Sequence, residues 1–382
     1  MLRGLRRRLE QALAPPAFGG ARWTARRLAN FYHARWEEAR NKVELRSRPV
    51  KLTVEATSAC NLRCPACFTG VGEVGRPRGG MSLECFRRLL DELGPYLFEI
   101  EFYNWGEPLL YKPIFTMIEE TTARGIGSTV STNFSFPWDR ERADRLVGAG
   151  LTVLGVSIDG ARQETYEQYR AGGKLEQVLA NCRLMADAKA RARSPIRLVW
   201  EYHVFAHNVG DVDAARALAS DLGMEFIPTK GWTVGEEWDP ESPYRFFWYP
   251  SPPTRCRFLW QQAVVNNDGG VAPCCGTFYR EDDMGSVAAG PGDAAPPRFA
   301  EVWNGERFRA ARRFYRRYEA HGDEASHICY ACPMTRAWDA WGRHRAAGGD
   351  VATFDPGYTT NDHFNFFFNR RPARPLRREQ AG

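Results

Sequence analysis

The sequence predicts an α/β fold: a partial (β/α)6 barrel of the TIM type, followed by a small C-terminal domain with its own set of cysteines. Between residues 51 and 230, short apolar runs alternate six times with amphipathic helical stretches. Strands that alternate with helices form parallel sheets. Because a closed TIM barrel has eight such units, six units predict a barrel that stays open on one side.

The strand-like runs are recognised by their β-branched and aromatic residues. They are LTVEAT (52–57), LFEIEFY (97–103), IGSTVS (126–131), LTVLGVSI (151–158), IRLVWEYHV (196–204) and MEFIP (224–228). The first helix between them is predicted to begin after Ser82, a good N-cap residue, and to end at Gly94. Further helices are predicted from about residue 112, over 139–150, up to about 192 and over 211–222.

The predicted domain boundaries follow changes in composition. The length suits one large domain and a smaller one, and an aromatic, proline-rich segment separates them. The parts are a basic N-terminal helical arm (1–50), the barrel (51–230), the bridge (231–255), the domain with the second cysteine set (256–345) and a C-terminal tail (346–382).

The N-terminal arm carries most of the positive charge of the chain. Residues 1–51 hold thirteen Lys and Arg against four Glu, whereas the whole chain has a net charge of +6. Leu2, Leu5 and Leu9 recur at helical spacing among arginines, which predicts a basic amphipathic helix. Such a helix can dock on its own domain, or contact a membrane surface or an acidic partner, and both interpretations stay open. No further feature favours nucleic-acid binding.

The sequence predicts a cytoplasmic protein. No apolar run approaches the roughly 18 residues that a membrane span needs. Arginines in the start MLRGLRRRLE take the place of the apolar stretch of a signal peptide. Because thiols stay reduced in the cytoplasm, closely spaced cysteines are expected to bind metal rather than form disulfides.

Three cysteines lie close together in CNLRCPACF, directly after the first predicted strand. Cys60, Cys64 and Cys67 are therefore placed at the edge of the barrel where active sites are built. Structural zinc needs four closed ligands, and the sequence has no fourth Cys or His near this loop. A four-iron cluster held by only three thiolates leaves one iron without a protein ligand. That iron can bind a substrate or a cofactor directly.

The spacing of Cys60, Cys64 and Cys67 resembles the Cys-x3-Cys-x2-Cys signature of the radical S-adenosylmethionine (SAM) superfamily. The resemblance implies a 4Fe–4S cluster whose open iron binds the amino and carboxylate groups of SAM. It also implies that an electron from the cluster cleaves SAM to methionine and a 5′-deoxyadenosyl radical, which removes a hydrogen atom from the substrate. A reductant such as flavodoxin or ferredoxin would supply the electron.

The resemblance extends to the ends of later strands. FYNWGEP is similar to the Gly-Gly-Glu motif of the family, with Trp105 in place of the first glycine, so Glu107 is expected to bind the SAM ammonium. Arg170 is expected to bind the SAM carboxylate through its guanidinium. Glu201, Tyr202 and His203, near the end of the fifth strand, can face the cavity, although a satisfied core histidine is the favoured interpretation of His203. The cofactor-binding residues that the resemblance implies are Gly106, Glu107, Pro108, Ser131, Asn133, Ser157 and Arg170.

The second set of cysteines lies in the last third of the chain. Its order resembles the auxiliary-cluster domains called SPASM and, in shortened form, twitch, with NNDGGVAPCC as a hairpin and one helix over residues 301–313. A structural zinc ion stays an alternative for such a set, and Cys275 is expected to be able to replace Cys274. The resemblance implies one auxiliary 4Fe–4S cluster, held by Cys256, Cys274, Cys329 and Cys332.

These features predict an enzyme that removes a hydrogen atom from an unidentified substrate. The favoured substrate is a small molecule similar to a sugar or an aminocyclitol, which is oxidised or epimerised with the help of the auxiliary cluster. Modification of a ribosomally made peptide or protein is the alternative among enzymes, although the arm is shorter than a peptide-recognition domain. A non-catalytic iron-sulfur or zinc protein is the alternative from another class.

Overall fold

The structure, a computed structural model, describes residues 20–231, 238, 256–290, 294–317 and 328–349. The predicted helix near the N-terminus, almost all of the predicted bridge and most of the predicted tail lie outside the described residues. Within the described part of the chain, no helix is both long and apolar enough to cross a membrane.

The described strands form one nine-stranded sheet. They are β1 (Lys51–Val54), β2 (Glu99–Phe102), β3 (Gly127–Thr132), β4 (Val153–Ser157), β5 (Arg197–Val204), β6 (Glu225–Lys230), β7 (Gln262–Val265), β8 (Gly270–Ala272) and β9 (Gly285–Ser286). Their order in the sheet is β6-β5-β4-β3-β2-β1-β7-β8-β9. Strands β1 to β6 are parallel neighbours in chain order, which confirms the predicted six-unit partial barrel.

The second cysteine segment continues the sheet of the barrel. β7 adds a parallel strand beside β1, and β8 and β9 follow as antiparallel strands. The predicted hairpin is present, since β7 and β8 pair as antiparallel strands. In the turn between them Gly269 adopts a φ of +82°, a conformation that glycine accepts readily. The hairpin therefore brings Cys274 and Cys275 to the barrel.

Among the described residues, one helix precedes the barrel and six connect its strands. They are α1 (Ala25–Ala39), α2 (Leu83–Leu93), α3 (Ile114–Ala123), α4 (Arg140–Gly148), α5 (Gln163–Tyr169), α6 (Leu175–Ala192) and α7 (Val212–Asp221). α2 begins as predicted, since Ser82 accepts a hydrogen bond from the backbone N–H of Cys85. The single stretch predicted up to residue 192 is divided into α5 and α6, because the chain turns at Gly172 with a φ of +84°. This turn leaves Arg170 at the end of α5.

The described part of the N-terminal arm is docked on the barrel. Arg27 of α1 is buried and donates hydrogen bonds to the carbonyl oxygens of Gly94, Arg124 and Gly125. These carbonyls follow the last residues of α2 and α3, where helices leave acceptors unpaired. A buried guanidinium thus joins α1 to two barrel helices.

The barrel interior is polar, whereas the outward strand faces form the apolar core. In β2, Ile100 and Phe102 are fully buried under the helices, and Glu101 between them points to the interior cavity. Lys51 of β1 pairs with Glu101 at 2.6 Å and with Glu99 at 3.3 Å. TIM barrels usually fill their interior with branched apolar residues, so this lumen is built to hold polar groups.

The C-terminal helices pack beside the hairpin. They are α8 (Phe299–Trp303), α9 (Glu306–Arg317), α10 (Ile328–Ala331) and α11 (Pro333–Ala346). The prediction of one helix over residues 301–313 was wrong, because α8 ends at Trp303 and α9 begins at Glu306. The Asn304 side chain bonds both the N–H and the carbonyl oxygen of Leu45 at 2.8 Å. A contact distant in sequence therefore ends α8.

Candidate functional site

A cavity of about 430 Å³ opens at the C-terminal ends of the barrel strands. This is the edge at which barrel enzymes carry their active sites. Pro108 is buried in the first turn after Glu107 and does not line the cavity. Every other site residue predicted within the barrel lines it: Cys60, Cys64, Cys67, Gly106, Glu107, Ser131, Asn133, Ser157 and Arg170.

The thiols of Cys60, Cys64 and Cys67 lie on one wall of the cavity. Burial, with a smaller contribution from the neighbouring Cys64, raises the pKa of Cys60 to about 11 and that of Cys67 to about 12. Three buried thiols that repel one another as thiolates need a positive centre to hold them deprotonated. Their donor chemistry therefore fits an iron-sulfur cluster.

The cysteine loop is fixed by close backbone packing. A Cβ on Gly70 would overlap the backbone of Cys64, so the loop can close only with glycine at this position. The N–H of Cys67 bonds the carbonyl oxygen of Cys64 at 3.2 Å, and the N–H of Arg63 bonds that of Ala171 at 2.9 Å. The second of these bonds joins the cysteine loop to the turn that carries Arg170.

Gly106 and Glu107 lie directly beside the cysteine loop. A Cβ on Gly106 would overlap the carbonyl oxygen of Thr57, and the N–H of Glu107 donates to the carbonyl oxygen of Ala59 at 2.7 Å. The Glu107 carboxylate accepts hydrogen bonds from Thr132 Oγ1 and the N–H of Asn133, each at 2.7 Å. Burial raises the pKa of Glu107 to about 7. This carboxyl group is held rigidly at the cavity wall, where a cationic ligand would favour its ionised form.

Trp105, which replaces the first glycine of the family motif, is accommodated by aromatic packing. Its ring contacts Phe68, which follows Cys67, with 4.9 Å between the ring centroids, and Phe278 with 5.7 Å. Its Nε1 donates to the carbonyl oxygen of Thr277 at 2.8 Å. Trp105 therefore joins the loop of Cys60, Cys64 and Cys67 to the segment that follows Cys274 and Cys275.

Ser131 and Ser157 contact a carboxylate that was not among the predicted site residues. Both hydroxyls donate to Glu201 Oε2, at 2.7 Å and 3.1 Å. The carboxylate lies where a Cβ on Gly155 would be, so the glycine makes room for it. The inward alternation of β5 was the signal in the sequence, since Glu201 and His203 are two residues apart on one strand face.

Asp159 joins Arg170 to His203 at the rim of the cavity. Asp159 is fully buried, accepts from Arg170 Nε at 2.6 Å, and lies 3.1 Å from His203 Nδ1. Burial alone would raise the pKa of Asp159, but Arg170 and His203 lower it to about 2. His203 lines the cavity with 30% of its side chain exposed. The expectation of a satisfied core histidine was therefore wrong.

The four cysteines predicted for the second site are near one another. Burial raises the pKa of Cys274 well above its ordinary value, and Cys275, Cys332, Cys256 and Cys329 around it raise it further. Burial raises the pKa of Cys256 to about 12, with a further contribution from Cys332. Cys275, by contrast, lines the barrel cavity, with Glu101 among the groups that raise its pKa.

Within the described ranges, no three Cys, His, Asp or Glu side chains converge as ligands of one metal ion. A cluster with several irons binds each thiolate at a separate iron. Its ligands therefore need to surround a volume rather than a point.

Comparisons with known proteins agree with this arrangement. Residues 54–199 match the sequence profile of the Radical SAM superfamily, and residues 256–333 match SPASM, an iron-sulfur cluster-binding domain. The mycofactocin maturase MftC of Mycobacterium ulcerans is 30% identical over 182 residues, which are 48% of this chain and 47% of MftC. The AdoMet-dependent heme synthase of Methanosarcina barkeri is 27% identical over 182 residues, 47% of this chain and 50% of the synthase. The chain thus spans about half the length of these curated relatives.

A solved structure shares the fold. SuiB of Streptococcus suis superposes with a TM-score of 0.55 at 13% sequence identity, over 80% of this chain and 77% of SuiB. The cofactors of the family are SAM and a 4Fe–4S cluster, and the C-terminal domain match adds an auxiliary cluster. The signature cysteines, the cavity beside them and the two sequence matches lead to one conclusion: this chain belongs to the radical SAM superfamily and carries a C-terminal SPASM domain.

Proposed function

We propose that this protein is an enzyme that reductively cleaves SAM and uses the resulting radical to remove a hydrogen atom from a small polar substrate in the barrel lumen. The observation that carries the proposal is the cavity itself, onto which the three signature thiols and a polar lumen both open. When bound, the cluster and SAM supply a 5′-deoxyadenosyl radical. The protein supplies the binding sites and excludes water.

Each residue of the cofactor side has a proposed role. Cys60, Cys64 and Cys67 hold the cluster, and the Glu107 carboxylate accepts hydrogen bonds from the SAM ammonium. Arg170 binds the SAM carboxylate with the guanidinium nitrogens that Asp159 leaves open. The remaining roles are backbone contacts to SAM for Gly106, a stiff turn for Pro108, and contacts to the SAM ribose or carboxylate for Ser131, Asn133 and Ser157.

The far side of the cavity is proposed to bind the substrate. Glu101, Tyr103, Glu201 and Cys275 line it. Glu101 is paired with Lys51, and Glu201 accepts from Ser131 and Ser157. A substrate rich in hydroxyl or amino groups can donate further hydrogen bonds to the carboxylate lone pairs that these partners leave. A sugar or an aminocyclitol has this chemistry.

The second set of cysteines is proposed to hold the auxiliary 4Fe–4S cluster through Cys256, Cys274, Cys329 and Cys332. Four thiolate ligands leave no open iron, so this cluster would carry electrons and would not bind SAM. We also propose the division into a barrel over residues 51–230 and an auxiliary domain over 256–345. The one-electron donor for SAM cleavage would be a flavodoxin or a ferredoxin.

A second candidate function is the modification of a ribosomally made peptide or protein. The names of similar proteins favour it, because MftC is a maturase and SuiB has been solved bound to its precursor peptide SuiA. A peptide would then insert one side chain into the lumen. The two candidates differ in the molecule that donates the hydrogen atom.

The proposed function is tested with anaerobically reconstituted protein, dithionite and SAM. The expected result is 5′-deoxyadenosine from the wild type and none from the triple variant Cys60→Ala, Cys64→Ala, Cys67→Ala. Absence of 5′-deoxyadenosine from protein with intact clusters would favour the non-catalytic alternative. Deuterium transfer to 5′-deoxyadenosine from perdeuterated myo-inositol or glucosamine supports the small-molecule substrate, and transfer from a deuterated peptide supports the second candidate.

A further inference from the structure

We propose that His203, oriented by Asp159, is the acid–base residue that takes a proton from the substrate while the substrate is oxidised. This inference rests on the proposed function and adds to it a catalytic residue and a net reaction. It comes from the contacts of the histidine ring at the cavity wall.

The position of His203 is fixed from several sides. Asp159 Oδ1 accepts from the backbone N–H of His203 at 2.6 Å and lies 3.1 Å from its Nδ1. Asn208 Nδ2 donates to the carbonyl oxygens of both Asp159 and His203 at 2.9 Å. Since Asp159 and Asn208 are both fully buried, the ring is anchored to the core and not to the solvent.

These contacts select one tautomer of the neutral ring. Asp159 is ionised, and an ionised carboxylate only accepts hydrogen bonds. Arg170 Nη2, which only donates, lies farther from Nδ1, at 3.5 Å. Because the contact of Nδ1 with Asp159 is the shorter one, at 3.1 Å, the ring proton is assigned to Nδ1, and Nε2 keeps a free lone pair. No described residue forms a hydrogen bond to Nε2, and the ring lines the cavity. An imidazole held by a carboxylate through Nδ1, with Nε2 toward the substrate, is the arrangement of a general base.

The ring faces one carboxylate and one guanidinium. Asp159, at the shorter distance, stabilises the imidazolium that forms. Arg170 lies 3.5 Å from Nδ1 and opposes that charge, while its bond to the other Asp159 oxygen keeps the carboxylate ionised. Glu201 shares the strand face two residues earlier, and Thr229, which pairs with His203 on β6, carries no charge. The Asp159 carboxylate thus contacts both Arg170, which is proposed to bind SAM, and His203, which is proposed to face the substrate.

The proposed step balances for a substrate carbon that bears a hydroxyl group. The hydrogen atom on that carbon goes to the 5′-deoxyadenosyl radical, which becomes 5′-deoxyadenosine and leaves a carbon radical. His203 Nε2 then takes the hydroxyl proton. The remaining electron goes to a one-electron acceptor of the iron-sulfur class, and the C–O single bond becomes a carbonyl. The substrate loses two electrons and two protons in total, and an amine reacts in the same way to give an imine.

The first test needs no substrate. Diethyl pyrocarbonate acylates unprotonated histidine nitrogens, and mass spectrometry of the full-length protein gives the rate at each histidine. We expect His203 to react, and we expect its rate to change by about threefold or more in Asp159→Asn, because the ring loses the carboxylate that orients it. His33, which contacts Glu37 and not Asp159, should keep its rate. An unreactive His203, or a rate that Asp159→Asn leaves unchanged, would overturn the proposal.

The second test measures coupling in the complete enzyme with the perdeuterated myo-inositol and glucosamine named above. His203→Gln should still transfer deuterium to 5′-deoxyadenosine within about threefold of the wild-type rate, while the oxidised product falls by about a hundredfold or more. Equal loss of both products, or no loss of oxidised product, would contradict the role of His203. Failure of the proposed function is distinct, since the wild type would then form no 5′-deoxyadenosine.

Discussion

Cys274 and Cys275 are consecutive in the chain but face two different sites. Cys274 lies among Cys256, Cys329 and Cys332, whereas Cys275 lines the barrel cavity. The sequence alone left open which of them binds the auxiliary cluster, and this geometry favours Cys274.

We therefore expect Cys274→Ala to lose the auxiliary cluster and Cys275→Ala to keep it. Iron analysis of the anaerobically reconstituted proteins should show about four fewer irons per chain in Cys274→Ala only. Cys275→Ala is the matched control, because it removes the same thiol one residue away. Equal iron loss in both variants would contradict the assignment.

Gly106 should tolerate no side chain. In Gly106→Ala the new Cβ would overlap the carbonyl oxygen of Thr57, so the backbone at residue 106 and the backbone at Thr57 have to move apart. We expect unfolding free energy to fall by about 1–3 kcal/mol, with SAM binding weakened because Glu107 is the next residue. Isothermal titration with SAM and denaturant unfolding measure the two effects.

Gly148→Ala is the control for this substitution. Gly148 is exposed at the end of α4, and a Cβ there meets no atom within 4 Å. Alanine should leave SAM binding unchanged and stabilise the helix by up to about 1 kcal/mol. If the two alanine variants behaved alike, the close approach of Gly106 to Thr57 would not limit this motif.

Much of the fold follows from local sequence features. The strand runs alternate in polarity, and Ser82 begins α2 through a local hydrogen bond, so these elements needed no knowledge of distant residues. The signature cysteines were also predictable, because three residues at fixed spacing lie in one loop. Such features depend on a few neighbours in the chain.

Features set by distant contacts were not predictable. Asn304 ends α8 by binding Leu45, more than 250 residues away. The alternation of β5 puts His203 on the cavity face beside Glu201, but its contact with Asp159, distant in sequence, could not be read from the strand. The Ser157 hydroxyl also reaches Glu201 across the parallel pair β4 and β5, a contact that the sequence did not predict.

Glu55 should make stability depend on pH. Burial raises its pKa from 4.5 to about 7, and within the described part of the chain its carboxylate accepts hydrogen bonds from the backbone N–H groups of Trp105 and Asn267, each at 3.3 Å. An acid whose pKa is raised on folding binds more protons in the folded state. Stability is therefore lost as pH rises from about 4.5 to 7, by roughly 3 kcal/mol.

Urea unfolding of the wild type and Glu55→Gln at pH 5 and pH 8 measures this dependence. Between pH 5 and pH 8, the unfolding free energy of the wild type should fall by roughly 3 kcal/mol relative to that of Glu55→Gln. Glu141→Gln, on the exposed surface of α4, should follow the wild type at both values. A constant difference between wild type and Glu55→Gln would show that Glu55 does not titrate in this range.

Trp105 should stabilise the contact between the two cysteine segments. Its ring packs edge-on against Phe68 and Phe278, which stack on each other, and Nε1 bonds the carbonyl oxygen of Thr277. Trp105→Phe keeps most of the packing and loses one hydrogen bond, at a cost of about 1 kcal/mol. Trp105→Gly, which restores the glycine of the family motif, loses both the packing and the hydrogen bond and should lower the unfolding free energy by about 3–5 kcal/mol.

Trp36→Ala, at a residue 48% exposed on α1, is the control and should cost far less in the same denaturant unfolding experiment. If Trp105→Gly cost no more than Trp36→Ala, the aromatic contact would not hold the two segments together.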